Sequence, residues 1–259
     1  HQLVIYDNMK QSLMFYSTED GRFVKSEKFN KPTPAEIAYW GGYFFYHNRL
    51  HRNYQDDISL HYYLLASKDG ITIGKRYFKH ENNKEDYPFS PSGHNLYDNN
   101  SKLYYCRDFD NIVYQIHEDS VVPRFRINLP NPLPASMIEE RPNEMSLLRS
   151  GYSLGITDIY EYGGLLFFRF VKDGYIWSCL YNVEESKQVY CAKRIKFLDS
   201  SLIDTIDGIY KDCFYSILTP EYLDYAFSEN PLEDYPDLFK TYDVEGDNPV
   251  IAFYRAVVR

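Results

Sequence analysis

With 259 residues, 44% of them hydrophobic and 25% charged, the chain is long enough for one large β domain and has the make-up of a folded protein. Its formal charge of −9 and pI near 5.3 argue against binding a nucleic-acid backbone, which needs a basic face, and disfavour docking on an anionic membrane. The 27 Tyr and 17 Phe favour strands, where aromatic side chains pack on a pleated surface.

Residues 2–28 read as three strands, LVIYD, SLMFYS and RFVKSEKF, the last two joined at Asp20-Gly21. Residues 36–78 read as four: EIAYWGGYFFY turns at Gly41-Gly42, and LLASKDGITIGKRYF turns at Asp69-Gly70. A Gly-Gly pair between aromatic runs signals a tight hairpin, because such turns need positive φ. Residues 94–128 repeat the pattern with an Asn-rich first turn and a second at Asp119-Ser120. Residues 155–195 repeat it again, through DIYEYGGLLFF and CLYNVEESKQVYCAKRI. The last copy, 203–257, opens with IDTIDGIYKDCFYSIL and has a diverged second half.

Two insertions interrupt the rhythm. Residues 129–151 carry four prolines and a segment able to hold a helical turn or two. Residues 219–240 begin Thr219-Pro220-Glu221, a polar cap followed by Pro and an acidic first turn, which predicts a short helix to about Phe227.

The second turns of successive copies lie 49, 50 and about 65 residues apart, and repetition on this scale marks an array or a propeller. Four successive antiparallel strands per repeat are the blade of a β-propeller. The expected fold is therefore all-β, a single propeller domain of about five blades or an incomplete six-bladed ring. A tandem of separate small sheets would bury too little surface per sheet.

The stretches FYSTEDGRFVKS (15–26), YYCRDFDNIVYQIHEDSVVPRFRINL (104–129) and DNPVIAFYRAVV (247–258) resemble an uncharacterised family of six-bladed β-propeller lipoproteins from gut bacteria. The resemblance covers most of the chain. It implies a bacterial cell-envelope location, periplasmic or surface-exposed, and an N-terminal blade missing from these residues. The chain opens at His1 inside a strand pattern without an initiator Met, so an export signal and a lipid anchor are expected on sequence upstream. No apolar stretch is long enough for a membrane span.

Candidate chemistry falls on the first strand of each repeat, which lines the centre of a propeller. Those slots offer Glu36, His94, Asn95, Asp158, Asp204 and Asp207. Lactonase-type propellers look similar and hold a divalent cation on such oxygens, and hard cations such as Ca2+ want oxygen ligands. Glu36, Asn95, Asp158 and Asp204 are thus metal candidates, although such acids also line wet channels or pair with a neighbouring Arg. His47, His51 and His61, among Arg49 and Arg52, read as solvated loop histidines, and His80 with residues 81–86 as a charged surface loop.

Tyr39, Trp40, Tyr97 and His94 lie near turns, where a ring with an apolar face and a polar edge could recognise a ligand. Tyr43, Phe45, Tyr104, Phe168 and Phe170, at alternating strand positions, read as core. Cys179 and Cys191 fall opposite each other if 179–191 is a hairpin; two buried thiols are expected, a cross-strand disulfide being the alternative. No nucleophile elbow, phosphate loop, zinc-protease or dinucleotide motif occurs. The expected function is an exported, non-enzymatic propeller binding a protein, peptide or glycan, with no cofactor. The alternatives are a metal-dependent hydrolase resembling lactonases and a structural or assembly module.

Overall fold

The repeats predicted from the turns emerge as separate antiparallel sheets. The computed structural model describes residues 2–7, 9–28, 34–48, 61–80, 90–91, 93–140, 142–193, 195–197, 200–203, 206–229, 242–243, 246 and 248–255. Strands β1 (Gln2–Asp7), β2 (Ser12–Ser17) and β3 (Phe23–Lys28) form a three-stranded meander. Strands β4 (Glu36–Trp40), β5 (Tyr43–His47), β6 (Tyr62–Ser67) and β7 (Ile73–Lys79) form a four-stranded one. So do β8 (Leu96–Asp98), β9 (Leu103–Cys106), β10 (Ile112–Ile116) and β11 (Val121–Arg126). A fourth sheet joins β12 (Ser153–Tyr162), β13 (Leu165–Lys172), β14 (Tyr175–Asn182) and β15 (Lys187–Ala192).

A short hairpin of β16 (Ile195–Phe197) and β17 (Ser200–Ile203), which the repeat pattern does not anticipate, follows. The last sheet holds β18 (Gly208–Tyr210), β19 (Cys213–Leu218) and β20 (Val250–Tyr254). Sequential meanders of this kind are propeller blades, and among the described residues there are five, three of them with four strands.

The turns behave as their residues dictate. Gly41, Gly42, Gly163 and Gly164 all have positive φ, as two-residue hairpins require. Asp69 closes the β6–β7 turn by accepting the backbone N–H groups of Ile71 (2.8 Å) and Thr72 (2.7 Å) and the Ser67 hydroxyl (2.8 Å). In the first insertion, α1 (Ala135–Glu139) and α2 (Glu144–Leu148) are single helical turns, the second capped by Asn143, whose side chain accepts from Ser146 N at 2.9 Å. In the second, α3 (Pro220–Glu229) starts where predicted, with Thr219 Oγ1 accepting from Tyr222 N at 3.3 Å.

Two compact units divide the chain, one of residues 1–89 and 114–124, the other of residues 90–113 and 125–259. The first is built around Leu13, Phe15, Phe44, Tyr46 and Leu65. Its Tyr46 hydroxyl donates to Gly70 O at 2.6 Å, and burial pushes that hydroxyl's pKa well up. The second has a larger core that includes Tyr104, Ile156, Ile159, Phe167, Phe168, Phe170 and Phe214, with Leu218, Leu223 and Ala226 packing as a separate cluster under α3.

Three expectations need correction. Cys179 and Cys191 are joined in a disulfide across β14 and β15 rather than being free thiols. Their Cα atoms are 4.1 Å apart, the close spacing of directly opposed antiparallel residues, which brings the two sulfurs together. His47 is not a loop residue but the buried end of β5, paired with Glu36. His80 is likewise buried, its ring 3.6 Å from that of Tyr63. His51 lies outside the described residues.

Candidate functional site

In the second unit, the predicted inner-strand residues meet in a buried polar network. The short β8 ends in the turn Asn99-Asn100-Ser101, where Asn100 takes φ of 60°, a conformation that Asn tolerates better than most residues. Asn99 is buried, and its amide nitrogen donates to Tyr97 O and Ile159 O, both at 3.1 Å. Its oxygen accepts from Glu161 N at 2.6 Å. One side chain thereby fastens β8 to β12. Glu161 in turn receives Lys102 Nζ at 2.7 Å and the Tyr104 hydroxyl.

The β12–β13 ladder is irregular between Thr157 and Tyr160, and there Asp158 takes φ of 52°. The irregularity turns its carboxylate onto Arg169, whose Nε and Nη2 reach Oδ2 at 2.8 and 2.7 Å. Both side chains are largely buried. The Asp158 amide donates to the Tyr97 hydroxyl (3.2 Å), which itself donates to His94 O. Tyr160 donates to Asp207 O at 3.0 Å, and burial, reinforced by the charges of Asp158 and Asp207, pushes its hydroxyl pKa well up. Asp207 accepts Ile217 N at 2.7 Å. Burial that disfavours the phenolate keeps this hydroxyl a hydrogen-bond donor.

The network brings Tyr97, His94 and Asp158 together but gives them unequal access. Tyr97 is buried and His94 exposed. Asn95 is buried nearby, donating to Cys106 O (2.9 Å) and Asp108 Oδ1 (3.1 Å), and Ser90 Oγ also donates to Asp108 Oδ1 (2.6 Å). Glu36 belongs to the first unit, and Asp204 lies outside the described residues. Among the described residues, no group of three or more His, Cys, Asp or Glu could hold a metal ion.

In the first unit, the β4–β5 hairpin presents Tyr39 at its tip. Tyr39 is 61% exposed, with its ring 4.9 Å from that of Phe44, and Trp40 beside it is half-buried. The sequence reading missed the neighbouring cations. Lys68 and Lys75 place their ammonium groups 5.3 and 4.8 Å from the Tyr43 ring centre, and Lys75 also donates to Glu118 O at 2.9 Å. Ammonium groups at these distances are attracted to the negative face of the ring. Strand pairing alone could have signalled the Lys75 contact, because Tyr43 and Phe45 share a face and Ala66 pairs with both Phe45 and Lys75.

No curated protein matches the chain. Among solved structures, a protein of Bacteroides fragilis NCTC 9343 described as a "putative exported protein" has 15% identity and a TM-score of 0.76. The similarity covers 97% of this chain and 73% of that one, so the two share a fold. AztD of Citrobacter koseri is 9% identical with a TM-score of 0.36, over 83% of this chain and 62% of its own, too low to support an argument. No helix among the described residues is long and apolar enough to cross a membrane. The family described as "Domain of unknown function (DUF4934)" matches residues 1–255, and the chain belongs to it.

Proposed function

We propose that the protein is an exported, non-enzymatic propeller that binds a protein, peptide or glycan ligand through aromatic side chains exposed at its hairpin tips. The observation that carries this reading is Tyr39, an exposed ring at the β4–β5 tip beside Trp40. Such rings offer a large contact area at little cost in conformational entropy, with a hydroxyl at the edge for polar groups. Export is supported by the Cys179–Cys191 disulfide, since disulfides persist in oxidising compartments. The exported-protein description of the Bacteroides fragilis relative agrees with it. The lipid anchor and sixth blade implied by the family resemblance belong to the same reading.

The inner-strand acids support binding over hydrolysis. Asp158 is engaged by Arg169 and Asp207 by Ile217 N, so both carboxylates hold the scaffold. His94, whose backbone carbonyl accepts from the Tyr97 hydroxyl, is exposed and is a secondary contact candidate.

Glycan and peptide arrays probed with labelled protein should yield a binder that raises the melting temperature without being consumed. Tyr39→Ala should weaken that binder about tenfold, the usual effect of truncating a contact aromatic. Turnover of esters or lactones that needs added Ca2+ and is lost in Asp158→Ala would overturn the proposal. Export is tested by fractionating the native host, with metabolic palmitate labelling reading out the anchor.

A further inference from the structure

The β13–β14 hairpin of the second unit gathers rings and donors that the buried polar network does not use. Its tip is Asp173-Gly174, both with positive φ, and Tyr175 follows, 54% exposed. Side chains alternate along a strand, so Tyr175, Trp177 and Cys179 of β14 share one face. Pairing puts Lys172 opposite Tyr175 and Phe170 opposite Trp177 on that same face. Ala192 pairs with Ser178, which sets Lys193, the next residue, across from Trp177. Lys193 Nζ accordingly lies 3.4 Å from the centre of the Tyr175 ring and 5.8 Å from that of Trp177. The neighbouring pair on this face is Cys179 with Cys191, whose bridge holds β15 against β14 and so fixes where Lys193 starts.

The chemistry of this face is one-sided. Trp177 is held by stacking on Phe170, with ring centres 6.2 Å apart and planes 10° from parallel. Its indole Nε1 is buried and, among the described residues, finds no acceptor. Buried donors are ordinarily paired, so this one calls for an explanation. Lys193 is exposed and, among the described residues, meets two rings but no carboxylate. Lys172 reaches Asp173 at 3.7 Å, a half-exposed side chain at the tip. Two lysines thus share one carboxylate in a chain of 37 acidic and 28 basic residues. Unmatched donors beside aromatic rings ask for a ligand that brings oxygen acceptors, negative charge and a flat apolar surface.

We propose that this face is a binding site for an acidic sugar. Tyr175 is the stacking platform, and Lys193 swings from the ring to the sugar's carboxylate or sulfate, opening the Trp177 indole N–H to a second oxygen. A sugar ring lays a flat array of C–H groups on an aromatic face, which the acidic side chain of a peptide does not. Tyr39 and the ligand proposed for its hairpin have no part in this site, so the two readings fail separately.

Titration calorimetry of the oxidised chain with oligogalacturonate, a sulfated galactan oligomer, an unsulfated galactan oligomer and oligoglutamate tests it. One of the two acidic sugars should bind at least about tenfold more tightly than the neutral one, and which of them binds identifies the oxyanion. Lys193→Gln should weaken that binding about tenfold with little change in melting temperature, whereas Tyr39→Ala should leave it unchanged. The Trp177 indole N–H resonance, assigned by its loss in Trp177→Phe, should shift on binding. Absence of binding by both acidic sugars at millimolar concentration would overturn the proposal, as would full affinity in Lys193→Gln. Oligoglutamate binding as tightly as the better acidic sugar would overturn it in favour of an acidic peptide.

Discussion

Asn99 shows how much one buried polar side chain can decide. It satisfies two carbonyls and one amide on two strands and is itself buried. Asn99→Leu should cost about 3 kcal/mol in chemical denaturation, because a buried polar group left unpaired costs about 1–3 kcal/mol. Gly155 is as exacting for a steric reason. Its φ is 95°, and an added Cβ would lie 2.6 Å from the Phe109 Cα. Gly155→Ala should therefore destabilise by more than about 3 kcal/mol, since backbone cannot step aside as a flexible side chain can. Asp69 gives a pH signature. The Thr72 and Ile71 amides, with the Thr72 and Ser67 hydroxyls, hold its carboxylate well below the ordinary range. A depressed folded pKa contributes stability above the unfolded value near 4, and that contribution is lost as pH falls toward the lower folded value. Asp69→Asn should therefore flatten the decline in melting temperature below about pH 4.

At the scale of elements, the hairpin is the unit the sequence specifies best. Gly-Gly, Asp-Gly and Asn-rich turns locate strand ends because only a few residue types accept the required φ, and α3 is marked by Thr219-Pro220. The β14–β15 hairpin carries in addition the Cys179–Cys191 bridge, with a sequence separation of 12. Closing a loop of that length is worth about 3 kcal/mol on the chain-entropy account. Cys179→Ser/Cys191→Ser should lower stability by about that amount, measured against the oxidised protein in denaturant. The sequence placed the two cysteines opposite each other but chose thiols. Exact register and a 4.1 Å Cα separation decided for the bond.

For the whole molecule, a four-strand repeat alternating in polarity leaves few options besides blades, and five are present among the described residues. The candidate site was less legible. Of the predicted inner-strand acids, Asp158 and Asp207 lie in one network with Tyr97 and His94, but Asp158 is occupied by Arg169, eleven residues away on the next strand. Tyr97 serves the core rather than solvent. The whole-molecule expectation is ligand-induced stabilisation that depends on Tyr39, read by thermal shift across the binders found on arrays.

Local chemistry was thus enough to determine the turns, the strand count of the first four repeats and the acidic character of the protein, because these depend on neighbouring residues and on composition. Which face of each strand is covered, which acid meets which base, and which aromatic ring reaches solvent depend on contacts between strands distant in sequence. Asn99 with Ile159 is an example, and only tertiary packing could decide it.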